Sequence, residues 1–199
     1  MKIIGITGGI GSGKSRVLSH MREKYRARIL QTDLVAHQLQ EPGKPCYDKI
    51  LLTFGNEILQ ENDKIDRKKL GNLVFSDPEK LQLLNDMIHP AVKAFVREEI
   101  AKAEKEGAPL FFVESALLRE DHYEEICDEL WYIFAAKDVR IRRLMEARGL
   151  QIEKIQRIMN SQAEEEVFRN YCDVTIDNSG SFAKTEEQIA EAMKEINRR

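Results

Sequence analysis

The chain has 199 residues, 42% apolar and 33% charged, with a net charge of −3. That is the composition of a globular protein with room for one core and a modest insertion; it excludes a disordered or membrane-embedded chain and, lacking a basic excess, argues against a nucleic-acid partner. Cys46, Cys127 and Cys172 are far apart and form no Cys-x-x-Cys pair, which fits free thiols in a reducing cytoplasm. No apolar run has membrane-spanning length or the form of a signal peptide, so no membrane partner is expected either.

Lys2–Thr7 is an apolar, β-branched run that gives way abruptly to glycines, and it reads as a buried strand leading into bare backbone. The next stretch, Gly8-Gly9-Ile10-Gly11-Ser12-Gly13-Lys14-Ser15, satisfies G-x-x-x-x-G-K-[ST], a phosphate-binding loop. Glycines let backbone N–H groups turn inward around a polyphosphate, and the helix that follows presents its positive end to it. Gly9, Gly11, Ser12 and Gly13 are therefore expected to cradle ATP. Lys14 is expected to bridge the β- and γ-phosphates, and Ser15 to complete the coordination of Mg²⁺.

Arg28–Gln31 reads as the second strand, with Asp33 ending it on the rim where open α/β sheets bind ligands. A carboxylate there can orient an attacking hydroxyl or take its proton; the plainer alternative is a cap on the following helix. The interval from Asp33 to Gly107 is too long for one crossover and is helical nearly throughout. Asp66 and Asp77 have the character of N-caps, the second followed by Pro78, and His89-Pro90 is expected to start a helix through Val92, Phe95, Val96, Ile100 and Ala103.

Leu110–Val113 is a third apolar strand, and Glu114 at its end is suited to steadying Mg²⁺ directly or through water, or to serving as an ordinary helix N-terminal acid. Leu130–Ala135 reads as the fourth strand. From Asp138 to Tyr171 a helix capped by Asp138 carries Arg140, Arg142, Arg143 and Arg148, and Ile152, Ile155, Met159, Ala163 and Val167 then share one helical face. Arginines so clustered can stabilise charge on a transferring phosphoryl group or stack on adenine; Arg142 reads as part of a solvated face. Val174–Ile176 is the fifth strand. The alternation of strands and helices implies an α/β fold with a five-stranded parallel sheet.

A phosphate-binding loop does not say where the phosphate goes. N-K-x-D and L-S-G-G-Q are absent, and the only D-x-x-G, Asp177-Asn178-Ser179-Gly180, lies too far along for a switch loop. A kinase acting on a small hydroxyl compound is the reading left, with a nucleotide-binding module of little catalysis as the alternative from another class.

The order and spacing of "GITGGIGSGKS", "DLVAHQLQEPG", "IDRKKLGNLVFSDP", "LLNDMIHPAV", "RRLMEARG", "IQRIMNSQ" and "DVTIDNSGS" give the chain a further character: it resembles the dephospho-coenzyme A kinase family over nearly its whole length. The resemblance implies a P-loop kinase core in residues 1–32, 108–137 and 172–199. It also implies a helical acceptor region at 33–107 and a lid at 138–171. The implied reaction is ATP-dependent phosphorylation of the ribose 3′-hydroxyl of dephospho-coenzyme A, with a nucleoside or nucleotide kinase of the same fold as the alternative. Lys14, Asp33 and Arg143 would be catalytic. Arg16, Arg148, Asn178, Ser179 and Gly180 would join the loop in binding ATP, and Thr7, Arg67, His89 and Pro90 would serve the acceptor. The chain departs from the family pattern at Arg16, where Thr is usual, and at Gln31-Thr32-Asp33 in place of D-A-D. Further departures are Glu114-Ser115-Ala116-Leu117-Leu118 in place of D-x-P-L-L, and Arg140 in place of Gln.

Overall fold

The computed structural model describes residues 1–196. It has two units, Met1–Ile29 together with the chain from Glu106 onward, and Leu30–Lys105. Segment 138–171 falls within the first.

Strands β1 (Lys2–Thr7), β2 (Arg28–Gln31), β3 (Leu110–Glu114), β4 (Glu129–Phe134) and β5 (Val174–Asp177) form one sheet in the order β2-β3-β1-β4-β5. These are the five apolar runs of the sequence, with ends shifted by a residue. β1 runs parallel to both neighbours, Ile4 opposite Phe112 on one side and Ile6 opposite Trp131 on the other. A central parallel strand is covered on both faces, which is why these runs are continuously apolar rather than alternating. Ile4, Ile6, Phe112, Trp131 and Ile133 are fully buried, and the Phe112 and Trp131 rings meet edge to face at 5.7 Å. Each such side chain contributes about 1.5–3 kcal/mol by leaving water.

Two aspartates set strand starts. Asp128 Oδ2 accepts from the Ile3 N–H and Asp173 Oδ2 from the Leu130 N–H, both at 2.7 Å. Inside β1, Gly5 is required by packing: a Cβ there would overlap the Leu130 side chain and crowd Cys127 Sγ and Leu118.

The helices in chain order are α1 (Lys14–Tyr25), α2 (Thr32–Leu39), α3 (Tyr47–Phe54), α4 (Arg67–Phe75), α5 (Pro78–Lys105), α6 (Lys137–Arg148), α7 (Ile152–Asn160), α8 (Glu165–Tyr171) and α9 (Phe182–Ile196). α1 and α9 bury Val17, Leu18, Met21, Ile189 and Met193 in the core of the first unit. In the second unit Asp66 caps α4, accepting from the Lys68 and Lys69 N–H groups, and Asp77 does the same for Glu79 and Lys80 ahead of Pro78. None of the helices among the described residues is long and apolar enough to cross a membrane.

Four local expectations are corrected. No helix begins at His89-Pro90: α5 runs unbroken from Pro78 to Lys105 with Pro90 inside it. Ile88, Val92 and Val96 keep the buried face continuous across the proline, and packing against α2 and α4 offsets a cost of about 3 kcal/mol. The apolar face read across Ile152–Val167 belongs to two helices, α7 and α8, parted at residues 161–164, where the Ser161 hydroxyl donates to the Ile158 carbonyl. Asp138 does not cap α6; Ala136 holds that position and Asp138 lies in the first turn. Asp33 neither ends β2 nor caps α2: the strand stops at Gln31, which is also the N-cap residue, and Asp33 sits in the first helical turn.

Gly5→Ala is expected to destabilise the protein by about 1–3 kcal/mol, the range for overfilling a packed core. A urea midpoint lowered at unchanged slope checks it, and Leu130→Val in the same chain should recover part of the loss by removing the obstructing methyl.

Candidate active site

The loop between β1 and α1 is short of side chains and rich in constrained backbone. Gly11 and Gly13 have φ of 79° and 87°, values that residues with a side chain rarely adopt, and Gly13 is the N-cap of α1. Among the described residues the N–H groups of Gly9, Gly11, Gly13 and Ser15 make no hydrogen bond. The Ser12 hydroxyl is buried and unpartnered as well. Unfilled donors at the start of a helix are what a bound anion requires.

Five of the loop carbonyls, those of Gly8, Gly9, Ile10, Ser12 and Gly13, accept hydrogen bonds. Lys14 Nζ reaches the Gly8 carbonyl and lies 3.8 Å from Glu114 Oε1. The Ser12 N–H closes a turn onto the Gly9 carbonyl. Ser12 O accepts from Asn178 Nδ2 at 2.7 Å and from Arg143 at 3.4 Å, while Arg143 also donates to the Asn178 carbonyl at 2.8 Å. Arg140 Nε donates to the Ile10 carbonyl at 2.8 Å. The structure thus brings Gly9, Gly11, Ser12, Gly13, Lys14, Ser15, Glu114, Arg143 and Asn178 together.

The side chains of the Asp177–Gly180 turn make hydrogen bonds within the first unit. Asn178 is buried, its amide held by Ser12 O and by the Thr185 hydroxyl at 3.0 Å, and the Ser179 hydroxyl accepts from the Ala136 N–H at the start of α6. Gly180 has open space where a side chain would stand. Arg16 stacks on the Phe182 ring, 4.0 Å from its centroid. Arg148 is exposed at the end of α6, and no hydrogen bond or ion pair among the described residues joins it to the loop. Thr7 is buried and lines a separate hollow of the first unit with Ala116, Val167, Phe168 and Tyr171.

In the second unit Asp33 and Arg67 are exposed, and Arg67 lines a polar hollow with His37, Gln40 and Glu41. Burial and the nearby Arg67 guanidinium push the His37 imidazole below its ordinary value, against the opposing pull of Asp33. His89 is half-buried and Pro90 exposed on α5.

The dephospho-CoA kinase family model matches residues 2–184. The chain belongs to the dephospho-CoA kinase family. It is 37% identical to the dephospho-CoA kinase of Carboxydothermus hydrogenoformans over 189 residues, 95% of this chain and 91% of that relative. It is 35% identical to the enzyme of that name from Enterococcus faecalis over 194 residues, 98% of this chain and 96% of that one. Among solved structures it is similar to TT1252 from Thermus thermophilus, with a TM-score of 0.83 and 33% identity over 98% of this chain and 97% of that one. Dephospho-CoA kinase from Campylobacter jejuni gives a TM-score of 0.72 and 25% identity over 100% and 98%. A shikimate kinase from Acinetobacter baumannii, with a TM-score of 0.55 and 12% identity over 100% of this chain and 95% of that one, shares the fold alone.

Two residues of this dephospho-CoA kinase family member received no role from its sequence. Gln162 stands in "IQRIMNSQ" and contacts Ile10; His37 stands in "DLVAHQLQEPG" and lines the hollow of Arg67. A single glutamine or histidine in a helical pattern carries no signal of its own, and only the fold reveals its neighbour.

Asn178→Ala removes the best-made hydrogen bond to the loop and leaves Ser12 O with a long contact to Arg143. ATP affinity is expected to fall by roughly tenfold, in line with about 1–3 kcal/mol for a buried polar group left short of partners; titration calorimetry beside a thermal melt checks it.

Proposed function

We propose that this protein transfers the γ-phosphoryl group of ATP to the ribose 3′-hydroxyl of dephospho-coenzyme A, giving coenzyme A and ADP. The observation that carries the reading is a family match across residues 2–184 in a chain whose phosphate loop keeps unfilled N–H donors at the head of α1.

In this reading the loop N–H groups and the buried Ser12 hydroxyl hold the phosphates. Lys14 leaves the Gly8 carbonyl and Glu114 to reach the β- and γ-oxygens. Arg143, held at the loop by Ser12 O and Asn178 O, meets the charge that spreads over the phosphoryl oxygens in the transition state. Asp33 orients the acceptor hydroxyl and takes its proton, while Thr7, Arg67, His89 and Pro90 serve the rest of the acceptor. Arg16, Arg148 and the turn at Ser179 and Gly180 serve the nucleoside end.

The residues also fit a magnesium ion. Ser15 at the head of α1 and Glu114 at the end of β3 supply one hydroxyl and one carboxylate, and no group of three or more His, Cys, Asp or Glu that could hold a metal occurs among the described residues. Such a sparse set suits an ion that arrives with nucleotide phosphates and keeps several waters. Held there, it would supply positive charge against the nucleotide phosphates. A reducing cytoplasm goes with this reading, since all three cysteines are free and burial pushes Cys127 and Cys172 up to about 12, leaving them as protonated thiols.

An ADP-release assay comparing dephospho-coenzyme A with nucleosides and nucleoside monophosphates tests the assignment; turnover only with the latter would replace it by a nucleoside or nucleotide kinase. Asp33→Asn is expected to lower transfer by roughly 10²–10⁴-fold with ATP binding and melting temperature nearly unchanged, the range for lost general-base assistance. Lys14→Ala should abolish transfer in a folded protein, and Arg143→Ala should lower kcat at least ~10²-fold. An Arg143 effect confined to the acceptor KM would move that residue from the transition state to substrate binding.

A further inference from the structure

Ile10 is the apex of the phosphate loop, and both of its backbone polar groups are held by two side chains from elsewhere in the first unit. Its carbonyl accepts from Arg140 Nε at 2.8 Å, on α6. Its N–H donates to Gln162 Oε1 at 3.0 Å, in the turn between α7 and α8. The two side chains are joined as well, Arg140 Nη2 donating to the same Gln162 oxygen at 2.9 Å. That oxygen thus uses both lone pairs, and the guanidinium spans two acceptors, as its planar fork allows and a lysine ammonium does not.

The guanidinium also lies flat against Gly9, where an added Cβ would overlap its carbon and both terminal nitrogens. Gly9 is therefore needed for the close approach of Arg140 as well as for any ligand. No carboxylate forms a direct ion pair with Arg140 among the described residues; Glu165 acts on its half-buried charge only from beyond contact, while the guanidinium itself rests on the loop.

We infer that Arg140 and Gln162 form a clasp that fixes the apex of the loop in its anion-ready shape and couples α6 and the α7–α8 turn to nucleotide binding. Arg140 is a positioning residue in this arrangement, acting through Ile10 and Gln162. Because coupling is reciprocal, nucleotide in the loop steadies the α7–α8 turn as much as the turn steadies the loop. The inference rests on the loop being the nucleotide site.

The test measures the dissociation constant of a non-hydrolysable ATP analogue with Mg²⁺ for the wild type, Arg140→Ala, Arg140→Lys, Gln162→Ala and the double alanine variant, alongside melting temperatures. Hydrogen exchange over residues 150–171 is followed with and without the analogue. Each single alanine variant is expected to bind roughly 10–100-fold more weakly, the range for lost hydrogen bonds involving a charged group. The double variant should be no weaker than the worse single, since both break one unit. Arg140→Lys should behave like Arg140→Ala, KM for the acceptor should stay within about twofold, and nucleotide-dependent protection of 150–171 should be lost in all variants. Additive losses, full affinity in Arg140→Lys, or undiminished protection in the variants would overturn the clasp. Gln162→Ala removes only a half-buried turn side chain, so the proposal stays testable if Arg140→Ala does not fold. A wild type that fails to bind the analogue would instead overturn the nucleotide reading of the loop.

Discussion

A backbone that turns its N–H groups toward an anion turns its carbonyls toward protein, and each carbonyl left unpaired there costs about 1–3 kcal/mol. That constraint organises the first unit. The carbonyls of Gly8, Gly9, Ile10, Ser12 and Gly13 accept, in turn, from Lys14, the Ser12 N–H, Arg140, Asn178 with Arg143, and the Arg16 and Val17 N–H groups of α1. Three of these donors are cationic side chains, whose hydrogen bonds are the stronger kind and whose charge also favours the ligand. The sheet order makes the arrangement possible. β1 is central, β4 lies beside it and β5 beyond, so α6 after β4 and the turn after β5 both emerge at the end of the sheet where the loop begins.

The strands and the loop were legible because their causes are local. A fully covered parallel strand is apolar throughout, and the glycines of a phosphate loop answer to φ values and close approaches that favour glycine over any residue with a side chain. The Asp66 and Asp77 caps were legible for the same reason, since an aspartate bonds to N–H groups two and three residues on. What the sequence concealed depends on residues far away in the chain. Pro90 has the local signature of a helix start, yet packing of α5 against α2 and α4 carries the helix through it. The break between α7 and α8 has no proline or glycine to mark it; its turn is held in part by Gln162 reaching Ile10, 152 residues away.

The departures from the family pattern have different physical meanings in this chain. Arg16 stands at a helix start facing the loop's positive charges, and its guanidinium lies over Phe182, an arrangement contributing about 0.5–1 kcal/mol at an exposed site. Arg16 and Arg142 both act on Arg143 as like charges, so the loop carries a concentration of positive charge within a chain of net charge −3. Arg140 adds to it. The departure at Arg140 is thus no isolated surface change, because its guanidinium takes a loop carbonyl and packs on Gly9.

Charge in the second unit is arranged on a different principle. His37 shares a hollow with Arg67, and burial together with that guanidinium holds its imidazole below the ordinary value, so it is mainly neutral at pH 7. Glu41, on the same hollow, forms an ion pair with Lys64 at 2.6 Å, which offsets its negative charge locally. The net positive character there comes from Arg67, whose guanidinium stays charged at any physiological pH. His37 therefore supplies a neutral donor or acceptor rather than a second cation, and the charge offered by this hollow is nearly constant above neutral pH. Both units thus rely on arginine for charge that does not titrate, the first around a bare backbone loop and the second beside a neutral imidazole.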